Sequence, residues 1–135
     1  MSPTAEMMAT HPYVQGMRND WLTRCIDECL ACSQACSSCE DACLAEESVS
    51  ELRRCIRLCG DCADICTVTS RVLSRLTEPD QRVIHAVLNA CVAICEQCGA
   101  ECAQHAEHGM EHCRVCADAC RDCAEACNAL VAAAG

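Results

Sequence analysis

The stretch Cys25-Ile26-Asp27-Glu28-Cys29-Leu30-Ala31-Cys32-Ser33-Gln34-Ala35-Cys36-Ser37-Ser38-Cys39-Glu40-Asp41-Ala42-Cys43 places a cysteine every three or four residues, the two intervals alternating without a break. An average step of about 3.5 residues is the period of a helix seam, so the stretch predicts one long helix with all six thiols on one side. Metal knuckles carried on loops do not keep such phase. The same alternation recurs at Cys55, Cys59, Cys62, Cys66, again at Cys91, Cys95, Cys98, Cys102, and again at Cys113, Cys116, Cys120, Cys123, Cys127. Four seams predict four helices.

The residues between the blocks punctuate them accordingly. Ser48-Val49-Ser50-Glu51 reads as a capping box that opens the second helix. Thr77-Glu78-Pro79-Asp80 stops one helix and starts the next, with Pro tolerated in a first turn, and Gly109 reads as a C-cap before the fourth. The predicted helices are 18–46, 50–75, 80–107 and 110–132, the first starting as early as Pro12. Residues 1–17 are then a tail or a short extra helix, and 18–135 the main domain. Connections this short force antiparallel neighbours, which predicts an all-α, up-down-up-down four-helix bundle with a Cys-lined interior.

Composition says what that interior is made of. The chain has 135 residues, enough for one domain. It carries 21 alanines and 19 cysteines but only 23 Leu, Ile and Val together and no Phe, with a formal charge of −10. So few large apolar side chains at that charge would ordinarily lead toward disorder, so cysteine has to organise the core. Ten Arg and no Lys against 20 acids argue against nucleic acid, whose phosphates need a basic face. Met1 to Met17 contains no basic leader, no long apolar run and no twin arginine, and no continuous run approaches the ~18 apolar residues of a membrane span. These features predict a cytoplasmic protein without a membrane partner, in a compartment that keeps thiols reduced.

Continued past the cysteines, the seam reads Leu22, Leu73, Leu76, Ile84, Leu88 and Leu130 at one end, an expected apolar plug. At the other end His105 follows Cys102 in phase, with His108, Met110 and His112 around the adjacent turn and Leu52 beside them. Met7, Met8, Met17 and His11 read as tail residues.

Several chemistries compete for such an interior. Cysteine can pack as a small hydrophobe, but Ala or Val would pack as well without the oxidation liability. Thiol–disulfide enzymes hold their Cys-x-x-Cys pair at a helix N-terminus, and iron–sulfur ligands come in loops with Gly or Pro. Soft thiolates select Cu(I), which accepts low coordination numbers suited to sulfurs three or four residues apart on one helix. Each Cu(I) that displaces one thiol proton leaves the interior neutral, whereas a closed Zn²⁺ site with four thiolates keeps a double negative charge. The reading is a non-enzymatic Cu(I) store with all 19 cysteines as ligands, at roughly one Cu(I) per Cys. His105 is the entrance ligand, and His108, His112 and Met110 are further candidates. A metallothionein-like buffer of zinc or another d¹⁰ metal is the alternative, and a thiol redox enzyme a more distant one.

The Cys-x-x-x-Cys-x-x-Cys-x-x-x-Cys pattern at 25–36, 55–66 and 91–102, with the same phase at 116–127, resembles the bacterial four-helix-bundle copper storage proteins, specifically their cytosolic branch. The resemblance covers residues 18–132. It implies a bundle that stores many Cu(I) ions on Cys thiolates, histidines at an open mouth, and homotetramers of bundles. The expected partners are copper ions and a copper chaperone or chelator as donor.

Overall fold

The computed structural model describes residues 2–14 and 19–134; Met17 and the expected start of the first long helix at residue 18 lie outside the described residues. Among the described residues the chain is all-helical with no strand. In order come α1 (Pro3–Thr10), α2 (Asp20–Leu44), a 3-10 turn (Val49–Glu51), α3 (Arg53–Ser74), α4 (Gln81–Ala106) and α5 (Glu111–Ala134). Helix α2 packs against α3 and α5, α4 packs against the same two, and α1 lies on α2.

The helix ends follow from side chains that satisfy free backbone N–H groups. The Asn19 Oδ1 accepts from Leu22 N at 3.0 Å and opens α2. The Asp80 Oδ1 accepts from Arg82 N and Val83 N at 3.0 and 3.1 Å and opens α4. Pro79 thus precedes the cap instead of sitting in the first turn. Gly109, at φ 89°, takes the left-handed conformation that lets Met110 N reach back to His105 O at 3.3 Å. The capping box expected at Ser48 does not form: Ser48 makes no side-chain cap bond, and α3 starts at Arg53. Backbone bonds from Glu51 N to Ser48 O and from Leu52 N to Val49 O wind this segment into the 3-10 turn. Leu52, 1% exposed, is anchored in the core and sets where the helix begins.

All 19 cysteines are at most 1% exposed. The Cys stripe of each long helix is therefore its buried face, and sulfur occupies the position of a hydrocarbon core. Ile26, Leu52, Leu73, Leu88 and Leu130 complete it. The buried hydroxyls of Thr69 and Ser70 donate to Ile65 O and Thr67 O of their own helix, both at 2.7 Å.

The six plug residues do converge, but not as a close-packed seal. Leu22, Leu73, Leu76, Ile84, Leu88 and Leu130 line a common cavity of about 180 Å³ with Val131. Leu22, Leu76 and Ile84 are only partly buried. Helix α1 covers part of this region from the side: Ser2 Oγ caps its N-terminus and donates to Asp27 Oδ2 at 2.9 Å. Met8, expected as a tail residue, is 6% exposed and receives a hydrogen bond from Thr23 Oγ1 at 3.4 Å. Met7 is 71% exposed, and His11 bonds Thr77 Oγ1 at 3.3 Å, so neither joins the sulfur core.

Helix α4 contains an 18-residue window apolar enough by composition to cross a membrane, which no continuous apolar run in the sequence signalled. Its apolarity has a local cause. One stripe is the buried cysteines 91, 95, 98 and 102, and much of the rest is Ala and Val.

Candidate metal centre

Four long helices, each with its thiols on one face, bring the sulfurs into a continuous lattice. Within helices, Cys32 and Cys36 and also Cys62 and Cys66 stand 3.8 Å apart, sulfur to sulfur. Between helices, α2 meets α5 at Cys25–Cys127 (3.4 Å), Cys29–Cys123 (3.7 Å), Cys36–Cys116 (3.6 Å) and Cys39–Cys113 (3.8 Å). Numbers rise along one helix as they fall along the other. Helix α3 meets α4 at Cys55–Cys102 (3.7 Å), Cys59–Cys98 (3.8 Å), Cys62–Cys95 (3.8 Å) and Cys66–Cys91 (3.9 Å), again in opposite order. Diagonal contacts close the middle, Cys29–Cys91 and Cys59–Cys116, both 4.0 Å. No backbone separates the helices there.

The lattice divides into overlapping groups able to surround an ion. Cys29, Cys91, Cys123 and Cys127 form one, with all four sulfurs within 4.8 Å of one another. Others are Cys32, Cys62, Cys66, Cys95; Cys32, Cys36, Cys62, Cys120; and Cys36, Cys98, Cys116, Cys120. Because Cys32, Cys36, Cys62 and Cys120 recur, one sulfur is placed to serve more than one ion. At about 2.3 Å per metal–sulfur bond, a linear pair spans about 4.6 Å and a trigonal set about 4.0 Å between sulfurs. A tetrahedral set spans about 3.8 Å, so contacts of 3.4 to 4.0 Å within groups whose sulfurs lie within 4.8 Å of one another leave the coordination number open. Distance alone does not separate copper from zinc; charge does. A shared array is neutral at one Cu(I) per thiolate but at only one Zn²⁺ per two thiolates, and isolated four-thiolate zinc sites would each bury a double negative charge.

At the histidine end two thiols, Cys43 and Cys113, are pushed toward the protonated form, while hydrogen bonds from neighbouring thiols push Cys39 the other way. Burial pushes the Cys43 thiol well above its ordinary range, and negative charge on Cys39 would push it further. Cys113 moves the same way for the same first cause. An ion bound there displaces protons, so its uptake weakens as pH falls.

The three candidate histidines are placed unequally. His112 Nδ1 lies 3.5 Å from Cys39 Sγ and 3.6 Å from Cys113 Sγ, and with Cys43 these form a mixed thiol–imidazole group. His105, the entrance ligand favoured by seam phase, is turned onto Glu101, its Nε2 2.8 Å from Oε2; Arg54 Nε stands 3.3 Å from the other carboxylate oxygen. His108 is exposed, and Met110 is partly buried against the core. Side chains on a helix lean toward its N-terminus. At the end of α4 that tilt carries His105 back one turn onto Glu101; in the first turn of α5 it carries His112 over the end of the sulfur lattice. The Glu101–His105 pair could have been found from its i, i+4 spacing. Nothing in the sequence signals Glu46, whose Oε1 stands 3.7 Å from His112 Nε2.

The family model described as "Copper storage protein" matches residues 18–132, the span that contains every cysteine. The chain belongs to the copper storage protein family. Among solved structures, a copper storage protein from Streptomyces lividans loaded with 10 copper equivalents is 52% identical, with 96% of this chain and 98% of that one covered and a TM-score of 0.90. A cytosolic copper storage protein from the same organism, with five coppers, is 57% identical over 84% of this chain and 93% of that one, with a TM-score of 0.81. A variant of the Streptomyces lividans protein with one histidine changed to alanine is 54% identical over 89% and 99%, with a TM-score of 0.85. No curated protein sequence matches the chain. Membership of this family assigns a storage role, not catalysis, and copper as the cargo.

Proposed function

We propose that the protein is a cytosolic Cu(I) store whose cargo sits inside an antiparallel up-down-up-down four-helix bundle built by residues 18–135, with 1–17 as an appendage. The observation that carries this reading is the sulfur lattice: 19 buried thiols, contacts of 3.4 to 4.0 Å along its length, and, among the described residues, no buried charged side chain. All 19 cysteines serve as ligands. His112 joins them at the mouth, with His105, His108 and Met110 as transfer donors around it. The opposite order of the sulfur pairs between α2 and α5, and between α3 and α4, supports antiparallel packing. The Streptomyces lividans relative described as cytosolic supports the location.

The oligomer is a homotetramer, as the resemblance implies. Its support in this chain is a second seam on α4: Val83, Ala86, Ala90, Ala93, Gln97, Ala100 and Gln104 are all exposed, uncharged and spaced by alternating threes and fours. Such a stripe suits close approach of another helix. The donor that delivers copper, a copper chaperone or a small chelator, meets the histidine-fringed end, where neutral imidazole takes Cu(I) without first losing a proton.

Metal content separates copper from zinc storage. Protein isolated anaerobically from cells grown with added copper and added zinc together should carry several copper ions per chain and little zinc. Protein that carries mainly zinc would overturn the copper reading.

A further inference from the structure

His112 presents its two ring nitrogens to different surroundings. Nδ1 faces the sulfurs of Cys39 and Cys113, whereas Nε2 is buried without a hydrogen-bond partner. The nearest carboxylate oxygen is Glu46 Oε1, at 3.7 Å, just beyond hydrogen-bond reach. The contrast with His105 is informative. There the same ring atom is already bonded to a carboxylate at 2.8 Å, and that carboxylate is also held by Arg54 at 3.3 Å. One imidazole is latched, and the other has its latch standing open.

An imidazole that gives its Nδ1 lone pair to a metal must carry its proton on Nε2. In a buried position that N–H needs an acceptor, and metal-bound histidines regularly donate the second N–H to a carboxylate or carbonyl. Glu46 is placed to be that acceptor. It lies in the turn after α2, where Glu46 N donates to Cys43 O at 3.2 Å and Glu46 O accepts from Val49 N at 3.2 Å, so its backbone is fixed. Its side chain is 38% exposed and has room to rotate. Closing the gap takes well under 1 Å.

We propose that Glu46 is a positioning residue for copper uptake: it accepts the Nε2–H of His112, fixing the tautomer whose Nδ1 takes Cu(I) and hands it to Cys39 and Cys113. This rests on the reading of the thiol lattice as a Cu(I) store with His112 at its mouth. The imidazole keeps one proton throughout, on Nε2 while Nδ1 holds the ion, and the thiol that then takes the ion releases its proton to solvent at the mouth.

Full-length, reduced protein is loaded from a chromophoric Cu(I) chelator in a stopped-flow instrument, and final capacity is read from the same titration. Glu46→Ala should slow transfer of the first equivalents about tenfold at unchanged capacity. Glu46→Gln, whose side-chain carbonyl still accepts, should recover most of the rate. In a His112→Ala background, Glu46→Ala should have no further effect. With one equivalent of Cu(I), ¹⁵N spectra of the His112 ring should show the Nε2–H tautomer in the parent and a mixture in Glu46→Ala. A parent-like rate in Glu46→Ala, or an equal slowing with His112 already removed, would overturn the positioning role and leave the storage reading intact. Loss of capacity in the parent protein itself would overturn the storage reading instead.

Discussion

Replacing His105, His108 and His112 together with alanine should slow Cu(I) loading from a chelator by about tenfold or more while leaving capacity almost unchanged. The capacity belongs to the 19 buried thiols, none of which is touched. The rate belongs to the mouth. An ion that arrives on a carrier ligand must exchange donors without becoming bare, and burial holds the first thiols, Cys43 and Cys113, in the protonated form that binds copper poorly. Neutral imidazole bridges that step. The structure ranks the three: His112 touches Cys39 and Cys113, His105 is turned onto Glu101, and His108 is exposed. His112→Ala alone should account for most of the slowing. At the other end, the cavity among Leu22, Leu73, Leu76, Ile84, Leu88 and Leu130 is lined by no thiol, and the histidine on its wall, His85, is exposed and has no cysteine beside it there to receive an ion. Stopped-flow loading checks both statements, and parent-like rates in the triple variant would refute access through the histidine end.

Removal of the metal should leave the fold intact. Far-ultraviolet circular dichroism of reduced, metal-free protein should show high helicity, and thermal unfolding should be cooperative. Neutral thiols are acceptable core groups, and the caps at Asn19 and Asp80 and the left-handed turn at Gly109 do not involve the metal sites. Ile26, Leu52, Leu73, Leu88 and Leu130 supply hydrocarbon burial that a zinc-finger-like domain lacks. Leu88, 2% exposed and on the wall of the 180 Å³ cavity, tests the plug. Leu88→Ala enlarges that void and should cost about 2–5 kcal/mol; Leu76→Ala, at a partly buried site, should cost less. Denaturant unfolding of both variants measures this. A coil spectrum that turns helical only with copper would contradict the account.

The number and type of long helices were legible because the signal was of one kind and unbroken: cysteines in strict alternation, a pattern that only a helix can bury on one face. Asp80 and Gly109 marked their boundaries through chemistry that acts locally. Ser48 failed as a cap because a distant requirement, burial of Leu52, decided where α3 begins. Helix α1 was legible only as one of two alternatives, a tail or a short extra helix, although Ser2 and Pro3 are good opening residues, since a helix of eight residues buries one side chain, Met8, and shows no period. The thiol set was likewise readable from phase. The histidines were not, because phase gives the direction of Cβ but not where a long side chain ends. His105 lies in the seam and turns onto Glu101, while His112, one residue off the seam, reaches Cys39. Contacts between residues far apart in sequence, such as Glu46 with His112, leave no trace in a single chain.

Anaerobic titration of the fully reduced protein with Cu(I) tests the central claim most directly, with copper per chain as the quantity measured. Thiols shared between overlapping groups and neutralised one proton per ion predict saturation at roughly one Cu(I) per cysteine. A sharp endpoint near a quarter of that value would mean separate four-thiolate sites and would contradict a continuous copper–thiolate array.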